Sequence, residues 1–108
     1  MNYWLHPEAA EEHKQQVAYY EEAQAGLGRR YHNDFLDALS RTCASPTRSR
    51  VVLAPSIRRT MLKVFHFDII YREVDGLVQV LAVAHHRRQP GYWSGRHKLV
   101  APAARFAS

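Results

Sequence analysis

Apolar and polar positions change period about halfway along the chain. From Glu8 to Ala25 strong helix formers run without Gly or Pro, and Ala10, Val17, Tyr20 and Leu27 fall close to one stripe of a 3.6-residue repeat. Pro7 suits the first turn of that helix, with Glu8, Glu11 and Glu12 near its positive end. Gly26-Leu27-Gly28 breaks the pattern and predicts a turn between helices. From about Arg29 to Ala44 a second stripe follows: Tyr31, Phe35, Leu39 and Cys43 step by four, with Ala38 and Thr42 beside them. Ser45-Pro46 stops this helix, because the residue before a proline is pushed out of the helical region.

The period then shortens towards two. Val51-Val52-Leu53 is a short β-branched segment before Pro55, and Ile57 to Val64 alternates loosely around Arg58, Arg59 and Lys63. Phe67 to Val74, with Ile69, Ile70 and Tyr71, predicts a strand. Asp75-Gly76 is a strong two-residue hairpin signal. Val78 to Ala84 is almost wholly apolar, as in a central strand covered on both faces. At the start, Tyr3-Trp4-Leu5-His6 bounded by Pro7 predicts one more strand. No internal repeat is visible. This order predicts an α+β domain: an N-terminal strand, a helical hairpin, then a three- to four-stranded mainly antiparallel sheet with the hairpin on one face. Tyr20, Phe35 and Leu39 are expected to face Ile69, Tyr71, Val80 and Val83 or their neighbours. Residues 1–98 form one domain in this reading. The Ala-rich tail 99–108, with Pro102, is expected to be loosely held.

Composition narrows the function classes. A chain of 108 residues leaves no room for a separate cofactor domain. Its 46% hydrophobic and 23% charged content excludes disorder over the whole length. Cys43 is the lone cysteine, which excludes an internal disulfide and a multi-cysteine zinc site; its apolar helical setting reads as core. The seven histidines show no metal-ligand spacing, so neither metal nor cofactor is expected. No apolar run approaches the roughly 18 residues of a membrane span, and Met1–Pro7 lacks the features of a signal peptide. A cytoplasmic location is the expectation. Charge divides unevenly: residues 1–54 hold six Lys/Arg against seven Asp/Glu, net −1, whereas 55–108 hold nine against three, net +6. A positive half of this kind suits an anionic partner such as nucleic acid, a ribosomal surface or an acidic protein.

The densest chemistry is His85-His86-Arg87-Arg88-Gln89-Pro90-Gly91-Tyr92-Trp93, directly after the most apolar strand. Polar groups at the end of a buried strand are rigidly based yet exposed. Arg58, Arg59 and Lys63 are expected to add charge to the same region. Arginines hold phosphate or carboxylate oxygens, and tyrosine and tryptophan can stack on bases. For Trp93 the favoured reading is an anchor on the sheet, since a large aromatic is more often buried than bare. Adjacent strand residues point to opposite faces, so one of His85 and His86 is expected to reach any given site. Glu11-Glu12 and Glu21-Glu22 read as a solvated helix face.

At these segments the chain resembles the RelE/ParE family of type II toxin–antitoxin toxins. The matching stretches are Tyr3-Trp4-Leu5-His6-Pro7-Glu8-Ala9-Ala10, Val17-Ala18-Tyr19-Tyr20, Gly26-Leu27-Gly28-Arg29-Arg30-Tyr31, Ile57-Arg58-Arg59, Phe65-His66-Phe67-Asp68-Ile69-Ile70-Tyr71 and Ala82-Val83-Ala84-His85-His86-Arg87-Arg88-Gln89-Pro90-Gly91-Tyr92-Trp93. The resemblance spans about residues 3–96. It implies a growth-inhibiting toxin with a cognate acidic antitoxin, a toxin–antitoxin hetero-oligomer and a role in plasmid stabilization. It also implies one of two targets: messenger RNA on the ribosome for RelE-like members, DNA gyrase for ParE-like ones. RNA-cleaving members use basic residues on the central strands plus an arginine and a tyrosine near the C-terminus. Tyr92 matches that tyrosine; His86 stands where the arginine is expected, with Arg87 one step away. For cleavage, Tyr92, His86 and Arg87 would be the catalytic candidates. Arg58, Arg59, Lys63, Arg72, His85, Arg88 and Trp93 are the binding candidates. The paired central-strand lysines of the RNA-cleaving members are not cleanly present, so gyrase is the favoured target. A metal-independent endoribonuclease, or an inactive toxin acting only as an antitoxin-bound corepressor, are the alternatives.

Overall fold

The computed structural model describes residues 2–98; the expected loose tail at 99–108 lies outside the described residues. Eight elements follow one another: β1 (Tyr3–Leu5), α1 (Pro7–Ala23), α2 (Leu27–Ala44), β2 (Arg50–Leu53), β3 (Ile57–Met61), β4 (Phe67–Val74), β5 (Leu77–His85) and a 3-10 helix at Ser94–Lys98. The strands form one sheet in the order β1-β5-β4-β3-β2. The last four make the antiparallel meander expected from the sequence. β1 adds a fifth strand, parallel to β5, with Tyr3, Trp4 and Leu5 opposite Val78, Gln79 and Val80.

The helical hairpin covers one face of the sheet. Tyr31, Phe35, Ala38 and Leu39 from α2 pack with Ile69, Tyr71, Val80 and Val83, and Tyr20 lies against the same cluster. The buried line of α1 is shifted from the expected stripe: Ala9 and His13 are buried, Ala10 is partly exposed, and Leu27 opens α2. α1 and α2 approach closely at Gly28, where an added Cβ would lie 2.5 Å from the Val17 carbonyl oxygen. The Glu21 carboxylate accepts from the N–H groups of Gly26 and Gly28 and so ties the turn. Glu21 therefore does more than solvate a helix face.

One side chain ends an element that the sequence ran on. β3 stops at Met61 rather than Val64, because the buried Asp34 carboxylate accepts the N–H groups of Lys63, Val64 and Phe65 and turns the chain. The β4–β5 hairpin closes at Asp75 (φ 50°) and Gly76 (φ 80°), the left-handed pair that a two-residue loop requires. Within that hairpin Ile70 pairs with Ala82 and Tyr71 with Val80. Leu81 is thus an extra residue, a β-bulge that turns both Leu81 and Ala82 to the face opposite the helices. There Ile57, Ile70, Leu81, Ala82, Ala84 and Trp93 form a second, smaller core.

Candidate functional site

The second core carries the site. After β5 the chain folds back over the helix-free face, and Trp93 plugs into it at 7% exposure. Between this returning segment and the sheet lies a cleft of about 420 Å³. Its floor is apolar, from Val52, Ile70, Ala84 and Trp93; its rim is polar and cationic, from Arg59, His86 and Arg88. Asp68, projecting from the start of β4, is buried beneath that rim. His86 Nε2 lies 3.0 Å from Asp68 Oδ1, and Arg59 Nε lies 3.9 Å from Oδ2. One carboxylate thereby sets a histidine and an arginine side by side. The Arg88 guanidinium sits 4.0 Å over the Tyr92 ring, a cation–π distance.

Of the sequence-derived candidates, Arg59, His85, His86, Arg88, Tyr92 and Trp93 come together along this cleft. Arg58, Lys63, Arg72 and Arg87 do not line it. Arg58 donates to the Ser49 carbonyl, and Lys63 lies beyond β3 with its ammonium 3.8 Å from Asp37 of α2. Arg72 is engaged by Gln79 and the His97 carbonyl. Arg87 is exposed in the turn after β5. Both histidines touch the cleft rather than the one expected, because β5 ends at His85 and His86 lies in the turn beyond it: His85 stacks edge-on against Phe67 of the main core, and His86 meets Asp68. Burial, then the charges of Arg87, His86 and His66, push His85 below the ordinary histidine range, and its Nδ1 accepts the Arg87 N–H.

Tyr92 is held in a particular way. Its hydroxyl donates to Glu12 Oε2 at 2.8 Å, and burial followed by that bond raises its pKa above the usual tyrosine value. The phenol keeps its proton. Glu12 is therefore not the solvated residue its Glu11-Glu12 context suggests: only 17% of its side chain is exposed, and it also pairs with Arg96. Glu12 and Arg96 escaped sequence reasoning because they lie 84 residues apart and neither carries a motif. Asp68 did leave a trace, as the one acid inside the apolar run Phe67–Tyr71. Among the described residues no group of three or more His, Cys, Asp or Glu could hold a metal. No described helix is long and apolar enough to cross a membrane.

A helical hairpin on one face of a short meander, with a cationic cleft on the other, defines a small domain of the RelE/ParE fold. The chain belongs to the ParE toxin family: residues 3–90 match the family described as "ParE toxin of type II toxin-antitoxin system, parDE". Its fold is similar to that of a chain from the solved "Chromosomal ParDE TA system from P. aeruginosa", with a TM-score of 0.60 and 16% identity over 79% of this chain and 95% of that one. No curated protein gives a significant sequence match. The protein is a type II toxin component, and an antitoxin is its partner.

Proposed function

We propose that this toxin arrests growth in the cytoplasm by inhibiting DNA gyrase, and that an acidic antitoxin segment neutralises it by covering the cationic cleft. The observation that carries the choice of target is the state of Tyr92. RNA cleavage needs groups that exchange protons with the 2′-hydroxyl and the leaving oxygen near neutral pH. A phenol donated to Glu12, with its pKa raised, suits neither task. The open-face residues packed around it are Ile70, Leu81, Ala82 and Ala84, while the basic side chains of that face, Arg59 and Arg72, are engaged by Asp68 and by Gln79 and the His97 carbonyl. What remains is a binding surface: an apolar floor that a partner side chain can fill, and a rim of arginines that carboxylates or phosphates can meet. RNA cleavage is the second reading, and the Asp68–His86 pair is the observation in its favour, since a carboxylate-oriented imidazole can move protons at neutral pH.

Induction without antitoxin distinguishes the two. Filamentation and a DNA-damage response, with intact messenger RNA, are expected for gyrase inhibition. Messenger RNA cut at ribosome-bound codons, without DNA damage, overturns that target.

A further inference from the structure

One side chain ties the cleft's C-terminal wall to the opposite side of the molecule. β1 pairs with β5 along Val78–Val80, so among the described residues the strand edge beyond it has no strand neighbour. Glu12 of α1 and Arg96 of the 3-10 helix fill that edge. Glu12 Oε1 accepts the Val83 N–H at 3.0 Å, and Arg96 Nη1 donates to the Leu81 carbonyl at 3.0 Å. The two guanidinium nitrogens also grip Glu12 in a forked pair, Nη1 on Oε1 and Nη2 on Oε2, both at 3.0 Å. The Tyr92 hydroxyl takes the remaining place on Oε2. Each carboxylate oxygen thus accepts two donors, and its hydrogen-bonding capacity is full. From Tyr92 the contact passes to Arg88, stacked on the ring at the cleft rim.

We propose that Glu12 is the positioning residue of the cleft: through Tyr92 it fixes Arg88 and the Trp93 wall in the arrangement that meets the target. This rests on reading the cleft as the target-binding surface. Glu12 itself stands outside the cleft lining and acts through its neighbours. A glutamine of the same shape cannot replace it, because its amide NH₂ would face donors where a carboxylate oxygen now accepts.

The test uses a Trp4→Phe background, in which Trp93 is the sole tryptophan. Glu12→Gln, Tyr92→Phe and their combination are compared for melting temperature, acrylamide quenching of Trp93 and inhibition of purified gyrase. Both single variants are expected to stay folded at 25 °C, to quench more readily and to lose on the order of tenfold in inhibitory potency, the scale of one lost charge-assisted contact. The double variant is expected to lose no more than about twofold beyond Glu12→Gln, since coupled residues are non-additive. A merely structural role would leave the potency of Tyr92→Phe unchanged at an unchanged melting temperature. Unaltered quenching and potency in Glu12→Gln, or losses that multiply in the double variant, overturn the proposal. If Glu12→Gln unfolds, Tyr92→Phe, which keeps the Glu12–Arg96 pair, decides alone: full potency overturns it. If the unsubstituted toxin leaves gyrase untouched, the target reading falls, and the quenching comparison still decides what Glu12 does.

Discussion

His13 is a buried histidine with a neutral task. Its ring lies 4.0 Å from that of Phe35, its Nε2 meets His32 Nδ1 at 2.8 Å, and its Nδ1 has no partner among the described residues. Burial, then the neighbouring His32, lowers its pKa to about 4 from 6.5. The unfolded chain therefore binds a proton that the folded one refuses between those values. The stabilising contribution is complete above pH 6.5 and is lost as pH falls towards 4, by about 3 kcal/mol at full protonation. Urea denaturation at pH 7 and pH 5 is expected to show the drop, and His13→Phe to flatten it; an unchanged slope in the variant would contradict this assignment. Asp34 supports three loop N–H groups, so Asp34→Ala orphans all of them. A loss of about 3 kcal/mol is expected, seen as a melting temperature lower by roughly 10–20 °C. Neither role was legible in the sequence. Both depend on partners brought in by the fold: Asp34 meets a loop about thirty residues downstream, and His13 looks from its helical pattern like any other polar position.

Elements were more legible than residues. Period and turn chemistry placed both helices and the β4–β5 hairpin within a few residues, because Asp75-Gly76 and the Tyr31–Phe35–Leu39 stripe are local signals. The Leu81 bulge was not legible, since in a wholly apolar strand either face reads alike. The parallel pairing of β1 also needed the fold, as three residues carry no register of their own. The helix–helix contact at Gly28 is an element-scale constraint that backbone geometry imposes. A methyl group there would press on the Val17 carbonyl at 2.5 Å and on Glu21 Cβ at 2.9 Å, neither of which is a flexible tip. Gly28→Ala is expected to cost about 1–3 kcal/mol, the range for overpacking, measured by chemical denaturation. Stability equal to the unsubstituted protein would mean that the two helices separate freely.

At the scale of the whole molecule, the two sheet faces divide the labour. The helix-covered face holds the larger core; the other holds a small core, a cleft and the exposed ends of Arg59, His86 and Arg88. The +6 charge of residues 55–108 raised the expectation of an anionic partner, and the cleft gathers part of that charge over an apolar floor. Charge alone did not foretell which cations converge, because Arg58 and Arg72 are spent on carbonyls within the fold. The central claim is that this surface inhibits gyrase by binding. Its most direct test is DNA supercoiling by purified gyrase, titrated with the purified, folded toxin and then with its cognate antitoxin. Supercoiling lost as toxin is added, and restored by antitoxin, is the expected result. Full supercoiling in the presence of excess folded toxin would contradict the claim.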